Sequence, residues 1–186
     1  MTRRHQRIGT ILLLTLLALG LVAIAPTQWL GWQALNAVLR RKFPAVTRIR
    51  TSELAAWLDD PGRTPPRLLD VREPAEYQVS HLAGAQQIEP GSDPTTVDLP
   101  KDQPIVTYCS VGYRSAAYAQ KLRRAGFTNV RNLEGSIFEW ANENRPLAKA
   151  DGQPAEQVHP YNRIGGLLLR SDRRASVPSI DAKREN

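Results

Sequence analysis

The only thiol in the 186-residue chain is Cys109, and its neighbours make it a candidate nucleophile. The stretch Pro104-Ile-Val-Thr-Tyr-Cys109 reads as a buried strand, and a helix is expected to begin five or six residues later. At such a junction the backbone N–H groups of a tight loop and of the first helical turn converge on one point. A sulfur held there sees partial positive charge, and Arg114 adds a full one; both favour thiolate, the nucleophilic form. Gly112 permits a positive φ, so the loop can curl around the sulfur. Ser110 and Ser115 can add hydrogen bonds. The chemistry on offer is covalent catalysis through sulfur. The amides of Ser110, Val111, Gly112, Tyr113 and Ser115 are the groups placed to converge on that sulfur, beside Arg114. A lone cysteine serves equally well as a small buried hydrophobe, so the rest of the chain has to decide.

A single cysteine excludes an intramolecular disulfide. His5, His81 and His159 are scattered and offer no ligand pair with Cys109 at metal spacing, so no metal site is expected.

Four segments decide the question. They are Tyr108-Cys-Ser-Val-Gly-Tyr-Arg-Ser115; Asp70-Val-Arg-Glu-Pro74 followed by Glu76-Tyr77; His81-Leu-Ala-Gly-Ala85; and Leu133-Glu-Gly135 with Trp140. Taken in order, they resemble the rhodanese family of sulfurtransferases over roughly residues 46–148. The first is similar to the family's active-site loop, the second to the segment after its second strand. The third is similar to its His-hydrophobic-x-Gly-Ala turn, the fourth to the stretch before its last core helix. Ser136 departs from the pattern, where the family often has a second glycine. The resemblance implies that Cys109 attacks the outer sulfur of a small anionic donor such as thiosulfate, held by the amides of Ser110 to Ser115 and by Arg114, becomes a persulfide, and passes the sulfur to cyanide or a thiol. No cofactor is implied. Four residues separate Cys109 from Arg114; phosphatases resembling this fold have five there, a wider cradle suited to phosphate. A cysteine phosphatase or arsenate reductase is therefore the weaker enzymatic alternative. A non-enzymatic alternative is a membrane-tethered binding or sulfur-relay module. Asp70, Arg72 and His81 are expected to support loops rather than react.

The elements that must position these residues alternate in type. Short strands are expected at 46–49, 67–71, 87–88, 104–109 and 129–133. Helices are expected after Thr51 or Ser52, around 75–79, over 115–125 and over 135–142. Ala116, Ala119 and Leu122 form an inner helical face, and Gly126 a stop. This alternation indicates an α/β domain with a central parallel sheet flanked by helices. The region 149–186 is read as an extension, with 159–169 packing back as an extended segment and the chain largely disordered after 170.

The chain is 41% apolar and 23% charged, with a formal charge of +7. Most of that excess lies in the first 62 residues, and the central domain is nearly neutral, which argues against a nucleic-acid partner. Residues 8–25 carry no charge and would span about 27 Å as a helix, close to a bilayer's hydrocarbon thickness. Residues 1–27 are therefore read as a membrane anchor rather than a cleaved signal, because Pro26 would follow the cut. Residues 28–45 are read as an amphipathic juxtamembrane helix and linker, with membrane lipid as partner. Arg3, Arg4 and Arg7 lie nearer the span than Arg40, Arg41 and Lys42, so the N-terminus is expected in the cytoplasm and the catalytic domain outside it, in the periplasm.

Overall fold

The computed structural model describes residues 28–176. The expected membrane anchor and the tail beyond 176 lie outside the described residues. Among the described residues, no helix is long and apolar enough to cross a membrane. Residues 28–42 are helical (α1). The part of α1 before Asn36 belongs to one compact unit and the part from Asn36 onward to another. In the first unit Trp29 and Leu30 are exposed; in the second Leu39 and Phe43 are buried.

Five strands form one parallel sheet: β1 (Thr47–Ile49), β2 (Arg67–Asp70), β3 (Gln86–Gln87), β4 (Ile105–Tyr108) and β5 (Val130–Leu133), in the order β1-β5-β4-β2-β3. Four helices connect or follow them: α2 (Thr51–Leu58), α3 (Pro74–Val79), α4 (Tyr113–Arg124) and α5 (Ser136–Asn142). All four residues of β4 are buried, as the central strand of a covered parallel sheet requires. Leu54 and Trp57 of α2, Ala116, Ala119 and Leu122 of α4, and Ile137, Phe138 and Trp140 of α5 fill the core. Asp70 pairs with Tyr108, and Thr107 with Asn132. The C-terminal ends of β2, β4 and β5 therefore lie side by side, the edge at which open α/β sheets bind ligands.

Several boundaries differ from those read in the sequence. Helix α4 begins at Tyr113, four residues after Cys109, because Gly112 turns the chain into the helix at once with φ 100°. The residue capping α2 is Arg50, not Thr51 or Ser52. The Thr51 hydroxyl instead donates to Glu143 at 2.8 Å, tying α2 to α5. The loop 89–104 contains a short 3-10 turn, Pro94–Thr96, capped by the Asp93 side chain.

The largest correction concerns the C-terminal extension. A two-stranded antiparallel hairpin joins β6 (Leu147–Ala148) to β7 (Pro154–Ala155). The chain then packs back through 3-10 turns at Gly165–Leu168 and Ser171–Arg173 rather than as an extended strand. Disorder does not set in at 170: Arg174 bridges to Val158, and the structure continues to Ser176. Composition concealed this because the polar residues find specific partners. Arg170 donates its N–H to the Asn142 side chain at 2.8 Å, and the Arg174 guanidinium donates to the Leu169 carbonyl at 2.6 and 2.8 Å. Val158 and Leu169 are fully buried beneath them.

Candidate active site

Residues 109–112 turn the chain from β4 into α4. The Gly112 N–H donates to Cys109 Sγ at 3.2 Å. Its carbonyl accepts from the Asn132 amide on β5 at 3.1 Å. A Cβ at Gly112 would meet its nearest neighbours at 3.4–3.5 Å, ordinary contact. The left-handed backbone, rather than lack of space, is what requires glycine there.

Helix α5 holds the other side of the loop. The N–H of Ile137 donates to the Cys109 carbonyl and that of Phe138 to the Ser110 carbonyl, each at 3.2 Å. Ser136 has φ 51°, so this position needs a left-handed backbone, and the serine adopts it in place of a glycine. Its hydroxyl accepts from the Cys109 N–H at 3.3 Å and donates to the Leu133 carbonyl at 3.1 Å. Those two bonds offset the backbone cost of a side chain there.

Glu76, on α3, is fully buried and organises the loop's charge. Arg114 donates to both of its carboxylate oxygens, at 2.7 and 2.9 Å. The Ser110 hydroxyl donates to Glu76 at 2.8 Å and accepts from Arg114 at 3.0 Å. Burial alone would push the Glu76 carboxyl up, but the hydrogen bonds and charge of Arg114, with Arg72 behind it, hold it below the usual range. Burial likewise opposes the charge on Arg114, and Glu76 outweighs it, leaving the guanidinium firmly charged. Arg114 is thus a clamp between α4 and α3, with an Nε and one Nη1 hydrogen uncommitted among these bonds.

The remaining expected site residues fall into three groups. Val111 is half-buried within the loop. Ser115 is fully buried; its carbonyl accepts from Thr107 at 3.1 Å, and its hydroxyl finds no partner among the described residues. Tyr113 points away from this network. It is 38% exposed, packs edge-on against Phe43, and bonds through its hydroxyl to Lys42.

Asp70 and Arg72 form a second fork, both side chains wholly buried. Arg72 Nη2 lies 2.6 Å from Asp70 and donates also to the Ser80 carbonyl at 2.6 Å, fixing the turn around α3. His81 stacks on Tyr77 at 3.9 Å and exchanges backbone hydrogen bonds with Ala148 at 2.8 and 2.9 Å, joining the sheet domain to β6.

Four contributors had not been singled out as site residues: Glu76, Asn132, His159 and Tyr161. Glu76 left a trace in the sequence, three residues after a Glu73-Pro74 helix start, where it closes a capping box. Asn132 is placed by strand register alone. Residues 159–161 carry no local signal; the Tyr161 ring centroid lies 4.7 Å from the Arg114 guanidinium carbon.

Comparison with known proteins identifies the domain's family. The family model "Rhodanese-like domain" matches residues 51–143. The probable adenylyltransferase/sulfurtransferase MoeZ of Mycobacterium tuberculosis is 37% identical over 122 residues, 64% of this chain and 30% of that protein. A tRNA uridine(34) hydroxylase of Cronobacter sakazakii is 33% identical over 142 residues, 72% of this chain and 36% of its own length. A sulfurtransferase of Allochromatium vinosum is 34% identical over 86 residues, 46% of this chain and 80% of that one. The chain thus spans about a third of the first two relatives. A match across half the chain, over a parallel sheet that presents Cys109 in a glycine-turned loop, makes it a member of the rhodanese-like domain family.

Proposed function

We propose that the protein is a sulfurtransferase that carries a sulfane sulfur on Cys109. The observation that supports this most is the Gly112 N–H directed at Cys109 Sγ at 3.2 Å, within a loop braced on both flanks. Cys109 thiolate attacks the outer sulfur of thiosulfate. A new S–S bond forms, the donor's S–S bond breaks, and sulfite leaves with the electron pair. Cyanide or an acceptor thiolate then attacks the outer persulfide sulfur, giving thiocyanate or an acceptor persulfide and returning Cys109 as thiolate. Loop amides hold the anionic sulfur in both steps. Arg114, engaged on Glu76, acts chiefly by fixing the loop, and its uncommitted N–H groups are available to the donor.

Steady-state transfer from thiosulfate to cyanide tests the reading. Parallel double-reciprocal lines are expected, with turnover abolished in Cys109→Ala and lowered in Arg114→Ala. Undiminished turnover in Cys109→Ala would overturn the mechanism. For location, the charge-free stretch 8–25 supports a single-pass anchor with the domain outside the cytoplasm. A compartment-sensitive reporter fused after Asn186 should be active only on the outer side; activity confined to the cytoplasm would reverse that assignment.

A further inference from the structure

We propose that Tyr161, which lies beyond the family match, is a positioning residue of the Cys109 site: its ring caps the Arg114 guanidinium and keeps it seated on Glu76. The proposal rests on the sulfur-transfer reading only for its kinetic consequence.

Glu76 and Ser110 hold Arg114 along the edge of the guanidinium plane. Tyr161 lies 4.7 Å from its central carbon, within range of a cation–π contact. The hydrogen bonds and the ring contact thus come from different parts of the chain. The Arg114 side chain is 24% exposed, so without the ring, water would compete for its donors.

The backbone at Tyr161 shows that the ring is held there at a cost. Its φ is 64°, a left-handed conformation that glycine or asparagine adopts far more readily than a bulky aromatic residue. The Tyr161 N–H secures it by donating to His159 Nδ1 at 3.0 Å. His159 is itself buried. Burial, reinforced by the nearby Arg72 and Arg114 and opposed by Glu76, lowers its pKa and favours the neutral imidazole, which can accept a hydrogen bond at one ring nitrogen.

The segment is anchored independently of this contact. Val158 and Leu169 are fully buried, and the Asn142 amide donates to the Leu168 carbonyl at 2.8 Å. Asn142 ends α5, whose first turn holds the carbonyls of Cys109 and Ser110. One short helix therefore sets both the catalytic loop and the segment that caps it.

The test compares full-length wild type with Tyr161→Phe, Tyr161→Leu and Tyr161→Ala. Tyr161 is 40% exposed, so these changes leave the segment's buried anchors in place, which melting temperatures verify. Two quantities are read: kcat/KM for thiosulfate, and the rate of Cys109 alkylation by iodoacetamide at fixed pH. Phenylalanine keeps the ring face and should match wild type. Leucine and alanine should lower kcat/KM about three- to tenfold and speed alkylation of the buried Cys109. Leucine behaving like phenylalanine would overturn the proposal, since leucine covers surface but offers no π face. If wild type transfers no sulfur, the sulfurtransferase reading fails, and alkylation alone then decides the cap. Faster reaction only in leucine and alanine supports it; equal rates in all four proteins overturn it.

Discussion

The Asp70–Arg72 and Glu76–Arg114 forks are built from the same chemical groups at neighbouring positions, yet they differ in burial. Both side chains of the first are wholly enclosed. In the second the carboxylate is enclosed while the arginine side chain is 24% exposed. A closed pair whose bonds run to its own turn can only support that turn. A half-open pair that spans two helices and holds Ser110 of the Cys109 loop fixes the geometry of that loop. Burial, not residue type, separates the two forks.

The largest effect expected from breaking this contrast is in the closed fork. Asp70→Ala leaves the Arg72 charge buried without its partner, a loss of about 3–5 kcal/mol that chemical denaturation would read. Arg114→Lys keeps the charge but not the fork. Loss of charge-assisted bonds of about 1.5–3 kcal/mol should lower kcat/KM for sulfur transfer roughly ten- to hundredfold, with a smaller change in stability than Asp70→Ala. If the two variants exchange these signatures, the distinction drawn from burial is wrong.

Glu139, on the flank of α5 away from either fork, sharpens the contrast by being a carboxylate without an arginine. Burial, together with the carboxylates of Glu143 and Glu134, raises it to about 7. A carboxyl whose folded value lies above its unfolded value holds its proton more tightly when folded. Its favourable contribution is complete below the unfolded value and is lost as pH rises through about 7. Glu139→Gln should therefore be more stable to unfolding than wild type near pH 8, by on the order of 1 kcal/mol after solvent screening, and melt higher. The two should melt alike near pH 4. A lower melting temperature for the variant at pH 8 would contradict the assignment.

The smallest effect is expected at Ser136. Ser136→Gly removes a left-handed side-chain penalty and two hydrogen bonds of similar size, so stability should change by less than about 1 kcal/mol. A larger loss would make the hydroxyl, rather than the backbone, the important feature of that position.

The sheet and the loop carrying Cys109 were legible in the sequence because both are local. Short apolar runs, Leu68-Leu69 and Ile105-Val106, marked β2 and β4, and Cys109, Gly112 and Arg114 lie within six residues of one another. Ser136 was legible as a departure from a pattern, and its positive φ explains why glycine belongs there. Glu76 was visible as part of a motif but not as the clamp's partner, because that pairing spans α3 and α4. The segment beyond 158 was legible only as a stretch that packs back, without its 3-10 turns or its contact with Arg114. Residues 159–176 are irregular, and they are ordered by the buried Leu169 and by single hydrogen bonds, two with the distant Asn142 side chain and one from Arg174 to the Leu169 carbonyl. Such contacts leave no periodicity for a sequence to display.

The central claim is that sulfur resides on Cys109 during turnover. Its most direct test is intact-protein and peptide mass spectrometry of the full-length protein after exposure to thiosulfate and removal of excess donor. A gain of one sulfur atom is expected on the peptide containing Cys109, lost on adding cyanide and absent in Cys109→Ser. A folded wild-type protein that gains no sulfur from thiosulfate or any other sulfane donor would contradict it.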